Sequence, residues 1–279
     1  MLTQWIRTIW NDNGVMKDFS VESQNREAYE IAFEAANDFI YVAQYYPFNN
    51  VFLELGVVND QSSVVSVDYF TGNQWTAMVD IVDGTKSAGK SLGKSGIIQF
   101  SPDQFNWTNV NDPRKLNASS GINSLAIFDM YWIRIKFSAN LKATTSIKSL
   151  NYAFSSDRLL ASIDPEIDNY KNAWGGVSKT DWIEQILLGS QLVVAEFKSK
   201  GLILGNGNIL RFDDVCLAAT YRTLMIIYAI LGKDFADKYA NAEKEFKALM
   251  DIKRFTFDKN QDGKVQQNEI TLTVAQGVR

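Results

Sequence analysis

The sequence predicts an α+β multidomain protein, an antiparallel β-sandwich of jelly-roll type followed by a helical bundle domain. Three observations predict it: short period-two runs across residues 37–156, apolar residues at helical spacing across 157–279, and a break between them at SSDRLLASIDPEIDNYKN. With 279 residues, 46% of them hydrophobic, the chain is long enough to bury the cores of two ordinary domains.

Residues 1–36 read as an N-terminal segment, partly helical in VESQNREAYEIAFEAAND, with either domain open to it. The opening MLTQWIRTIWNDNG lacks the apolar core of about 7–15 residues that a secretory signal needs. From Asn37 the runs FIYVAQYY, NVFLELGVV, SVVSVDYF, TAMVDIVD, GIIQFS and MYWIRIKFSANL are rich in β-branched and aromatic residues. Turn chemistry separates them at Gly72-Asn73, Asp83-Gly84, Gly93, Ser101-Pro102 and Asp112-Pro113. No helical segment intervenes, so the strands are expected to pair antiparallel.

The period then changes. Three helices are expected: Thr180 to Gly201, with Ser178 or Thr180 as N-cap; Asp213 to Gly232, with two acids in its first turn; and Phe235 to Phe255. The last carries Phe235, Tyr239, Ala242 and Phe246 on one face.

Composition excludes much chemistry. The chain has no histidine, which removes the commonest general base and every imidazole triad, and its formal net charge of −4 gives no basic pull toward nucleic acid. Cys216, the single cysteine, lies in the apolar run VCLAATY and reads as a buried structural thiol. The carboxylates Glu54, Asp68, Asp80 and Asp129 are scattered, with no pair placed as acid and base, so the protein is expected not to be an enzyme. LMIIYAIL falls short of the roughly 20 apolar residues of a membrane span, and no membrane contact is expected.

One loop carries a full ligand pattern. Asp258, Asn260, Asp262, the Lys264 carbonyl, Gln266 through water and Glu269 occupy the oxygen positions of a calcium loop of the EF-hand type, with Gly263 at the sharp turn. EFKALMDIKRF reads as the entering helix, whereas TLTVAQGVR beyond the loop alternates like a strand. No second loop is found, so a structural Ca²⁺ that staples the chain end is expected in preference to a sensor.

Other patterns have bland readings. GTKSAGKS, Gly84 to Ser91, matches the letters of a phosphate loop, but the glycines after it break any helix, leaving a flexible lysine-rich hairpin loop. GLILGNGN follows a helix, outside the strand-turn-helix setting of dinucleotide sites, and Asn106 and Asn117 would be glycan acceptors only in a secreted eukaryotic protein. Most aromatics alternate with polar residues and belong to the core. Trp75 and Trp107 lie beside turn residues and are the best candidates for an exposed sugar-stacking pair.

The block YYPFNNVFLELGVVNDQSSVVSVDYFTGNQWTAM, then GIIQFS, Trp107 and MYWIRIKFSANLKATTSIKSL, resembles β-sandwich modules of tailed-bacteriophage structural proteins and is similar to galactose-binding or discoidin-type jelly rolls. Pro47-Phe48, Asp68-Tyr69, Gly72, Trp75, Gly96, Phe100, Tyr131-Trp132-Ile133-Arg134 and Ser138-Ala139 carry the likeness. The helical half, in DDVCLAATYRTLMIIYAILG and KYANAEKEFKALMDI, resembles neck proteins of the head-to-tail adaptor (connector) class. That resemblance implies a virion protein assembled in the host cytoplasm into a homo-oligomeric ring of about twelve copies, bound to portal and tail or neck proteins. The genome would cross its lumen without sequence-specific contact. The alternative is a carbohydrate-binding adhesin, or a baseplate or tail-associated protein, whose sandwich binds host glycan.

Overall fold

The computed structural model describes residues 6–44, 48–101, 107–108, 130–173, 181–203, 212–250, 254–256 and 270–272. Over these the protein is mixed α+β, with two antiparallel sandwich-like sheets and several helices. Its described residues divide into two compact units, the first running to Asn151 and the second from Tyr152 on.

In the first unit one sheet holds β1 (Arg7–Asp12), β2 (Val15–Asp18), β4 (Phe39–Gln44), β6 (Val65–Phe70), β7 (Trp75–Ala77) and β10 (Tyr131–Phe137), in the order β2-β1-β4-β10-β6-β7. The other holds β3 (Tyr29–Glu30), β5 (Asn50–Val57), β8 (Val79–Asp83), β9 (Gly96–Ser101) and β11 (Ser146–Asn151), in the order β3-β11-β5-β9-β8. Period two sets the register. Ile9 lies opposite Tyr41, Tyr41 opposite Arg134 and Arg134 opposite Asp68, which puts all four on one face. Their neighbours Trp10, Ile40, Ile135 and Val67 line the other face, each at most 4% exposed.

The N-terminal segment corrects the sequence reading. It is no separate helical piece, because β1 sits between β2 and β4, and β3 pairs with β11 in the second sheet. Among its described residues only α1 (Ser20–Asn25) is helical; Arg26, at φ 58°, ends it in the left-handed region. Asn13 (φ 48°) and Gly14 (φ 93°) close the β1–β2 hairpin with the positive φ pair of a type I′ turn. Asp38, 1% exposed, holds the segment down by accepting from the Trp10 indole (3.3 Å) and from the amides of Asn13 (2.8 Å) and Glu34 (2.9 Å).

The second unit contains α2 (Asp157–Ile163), a 3₁₀ segment (Ile167–Ala173), α3 (Ile183–Ser199), α4 (Phe212–Leu231) and α5 (Ala236–Met250). Ser156 caps α2 by accepting from the Leu159 amide at 3.3 Å. α3 and α4 approach through small residues: a Cβ on Gly189 would stand 2.3 Å from Thr223 Oγ1 and 3.1 Å from its backbone N. Hydroxyls tie the segment before α2 to both helices, with Ser155 and Thr220 of α4 at 2.9 Å and the Phe154 amide donating to Ser190 Oγ of α3 at 2.9 Å.

The last helix is shorter than expected. α5 stops at Met250, and Arg254–Thr256 is a strand, β12, that pairs antiparallel with β13 (Ile270–Leu272), Thr256 opposite Ile270. Among the described residues no helix is long and apolar enough to cross a membrane.

Candidate functional site

The most concentrated polar chemistry of the second unit is built on Asp164, the residue that follows α2. Its position after the helix and before Pro165 turns the chain into the 3₁₀ segment, and burial leaves it 7% exposed. Two side chains converge on it, one a hydroxyl and one an ammonium. Tyr228 of α4 donates to Oδ2 at 2.7 Å, and Lys238 of α5 donates to both oxygens, at 3.2 and 3.0 Å. The same ammonium reaches Glu166 Oε2 at 3.3 Å and the Tyr170 hydroxyl, which itself donates to Glu166 Oε2 at 2.9 Å. The Tyr170 and Tyr228 rings both pack on Phe235.

Electrostatics make this cluster a clamp, not a reagent. Burial would raise the Asp164 carboxyl, but the Tyr228 and Lys238 hydrogen bonds outweigh it and hold the group below the ordinary carboxylate range. For Lys238 burial works against the charge, and the bonds it donates to Tyr170 and Asp164 more than reverse it, so the ammonium sits above its usual value. Burial and the Asp164 bond push Tyr228 far upward. A nucleophilic lysine or a tyrosine base needs the opposite shift.

Beside the clamp lies an open cavity of about 280 Å³. Ile163, Leu224 and Ala242 give it apolar walls, Tyr221 and Tyr228 its rings, and Asp164, Lys238, Asn241 and Glu245 its polar edge.

The expected calcium ligands Asp258, Asn260, Asp262, Lys264, Gln266 and Glu269 lie outside the described residues. What is described is their setting: the paired strands β12 and β13 bracket the loop, where a calcium loop of the EF-hand type has two helices. Among the described residues no group of three acidic or cysteine side chains could hold a metal ion.

The tryptophan pair is not exposed as expected. Trp107 is 7% exposed, donates its indole N–H to the Trp132 carbonyl at 3.1 Å and packs against Phe48, Tyr69 and Tyr131. Trp75 is half-buried against Tyr41 and Phe70, with the Arg134 guanidinium 5.0 Å from its ring. A turn-side position did not imply an open ring face. The two indoles also lie in different packing environments.

The phosphate-loop letters fall in the β8–β9 connection, where turns, not a helix, follow Ser91. Asp83 organises it, accepting from the Thr85 amide (2.9 Å), the Thr85 hydroxyl (2.5 Å) and the Ser91 hydroxyl (2.5 Å). Thr85 and Ser91 are fully buried, so this is an ordered loop, not a flexible one. Cys216 is half-buried, less enclosed than its apolar run suggested.

Among known proteins, no family model matches this chain, and no curated protein or solved structure matches it either.

Proposed function

We propose that the chain is a non-enzymatic structural protein of a tailed-phage virion, the head-to-tail adaptor ring at the neck between portal and tail. The observation that carries the non-enzymatic part is how the enclosed charges are used. Asp164 with Lys238, Asp38 with the N-terminal turns, and Glu54 with Arg26 (2.7 and 2.8 Å) are each engaged in bonds that join separate elements. A scaffold spends its polar groups in this way.

The virion position rests on the resemblances of the two halves. In this reading the first unit is a jelly-roll sandwich that projects outward, and α3, α4 and α5 form a helical bundle that builds a ring of about twelve copies. The loop from Asp258 to Glu269 holds a structural Ca²⁺, which closes the β12–β13 hairpin and fixes the chain end. Portal and tail proteins are the partners, and the acidic balance of the chain, −4, lets the genome pass without adhering.

Electron microscopy of intact particles with the protein labelled tests this. The expected result is a ring between portal and tail. Density at a fibre tip or baseplate would overturn it and favour the glycan-binding alternative.

A further inference from the structure

We infer that the cavity between α2, α4 and α5 is a docking pocket for one basic side chain, arginine or lysine, presented by a partner protein. Its size comes first. About 280 Å³ is at the small end for a cofactor or drug-like ligand, but it suits a single long side chain. Its chemistry is graded along the same direction. Leu224 is 1% exposed and Ala242 4%, and with Ile163 they offer an apolar wall to a methylene stem.

The polar edge then selects the head group by charge. Glu245 is exposed on α5 and, among the described residues, takes part in no ion pair. Lys238 does not offset it, because that ammonium already serves both Asp164 and Glu166. The pocket lining thus holds two carboxylates, Asp164 and Glu245, to one ammonium. An incoming anion would meet repulsion, and a neutral group would leave Glu245 as unpaired as before. A guanidinium or alkylammonium would pair with Glu245 and lie against the Tyr221 or Tyr228 ring. Nothing in this chemistry depends on where the chain is assembled.

The test uses the full chain and short capped peptides, acetyl-Gly-Xaa-Gly-amide, with Xaa arginine, lysine, citrulline or glutamate, followed by saturation-transfer NMR. The expected result is saturable transfer to the arginine and lysine methylenes, with citrulline, the uncharged shape of arginine, at least about fivefold weaker and glutamate silent. Glu245→Gln, a surface change outside the clamp, should weaken the basic peptides by roughly fivefold and leave citrulline unchanged. Equal binding of arginine and citrulline, no loss in the variant, or no saturable signal for any basic peptide would each overturn the proposal. Failure here and failure of the neck position are distinguishable, since one is read on the isolated chain and the other on particles.

Discussion

At the scale of single residues, the Asp164 clamp makes a pH-dependent prediction. The folded carboxyl titrates below its unfolded value of about 3.9, so its contribution is present above that value and is lost as pH falls through the lower folded one. Asp164→Asn should therefore cost about 1–3 kcal/mol at pH 7, and the gap from wild type should close below about pH 4. Urea unfolding followed by circular dichroism at pH 7, 5 and 3 reads this; a gap undiminished at pH 3 would contradict it. Lys238 behaves oppositely: its folded value is raised, so its share is complete below the unfolded value of about 10.4 and fades as pH rises beyond it. None of this was legible in the sequence. Tyr228 and Lys238 are separated by 64 and 74 residues from the Asp164 carboxylate they share, and no local spacing marks residues that only tertiary packing brings together.

At the scale of elements, helices were legible and their ends less so. α3 and α4 fall close to the expected spans because their apolar spacing runs over several turns. α5 is helix to Met250, and Arg254 and Phe255, the last two residues of DIKRF, are already strand, paired with Ile270–Leu272, a partner that local spacing does not reveal. The N-terminal hairpin had a readable signal in Asn13-Gly14 between alternating residues, outweighed by the helical look of VESQNREAYEIAFEAAND, of which only Ser20–Asn25 is helix. The α3–α4 crossing gives the second prediction. Gly189→Ala gains helix propensity of about 1 kcal/mol but drives a methyl to 2.3 Å from Thr223 Oγ1, an overpacking cost of roughly 1–3 kcal/mol. Net destabilisation is expected in thermal unfolding, partly relieved by adding Thr223→Ala, since that removes the nearest atom but not the backbone N at 3.1 Å. A Gly189→Ala protein as stable as wild type would show that the helices separate freely. The calcium proposal gives the third: calorimetry should detect Ca²⁺ heat for wild type and none for Glu269→Ala, because position 12 of the proposed loop would lose its bidentate carboxylate. Equal heats for the two proteins would remove the calcium assignment.

At the scale of the whole molecule, the change from period two to helical spacing was the most legible feature, because each period reports which side chains share a buried face. The structure's division at Asn151 and Tyr152 falls within a few residues of where strand patterning stops. Each unit has its own means of cohesion. The cluster of Ile9, Tyr41, Ala43, Phe70, Met130 and Trp132 belongs to the first unit, and in the second Ser190 of α3 and Thr220 of α4 bond to Phe154 and Ser155, which precede α2. The two sheets of the first unit are also complete in their pairing by Asn151, since β11 supplies the strand between β3 and β5. A protein of residues 1–151 is therefore expected to fold alone, with a β-type circular dichroism spectrum and a cooperative melt, because among the described residues its ladders take no strand from beyond β11. Its tryptophan emission should be blue-shifted, as Trp10, Trp107 and Trp132 are each at most 7% exposed in the intact chain. A fragment with red-shifted emission and no melting transition would mean that the sheets depend on the helices, and the outward-projecting module of the neck reading would lose its physical basis.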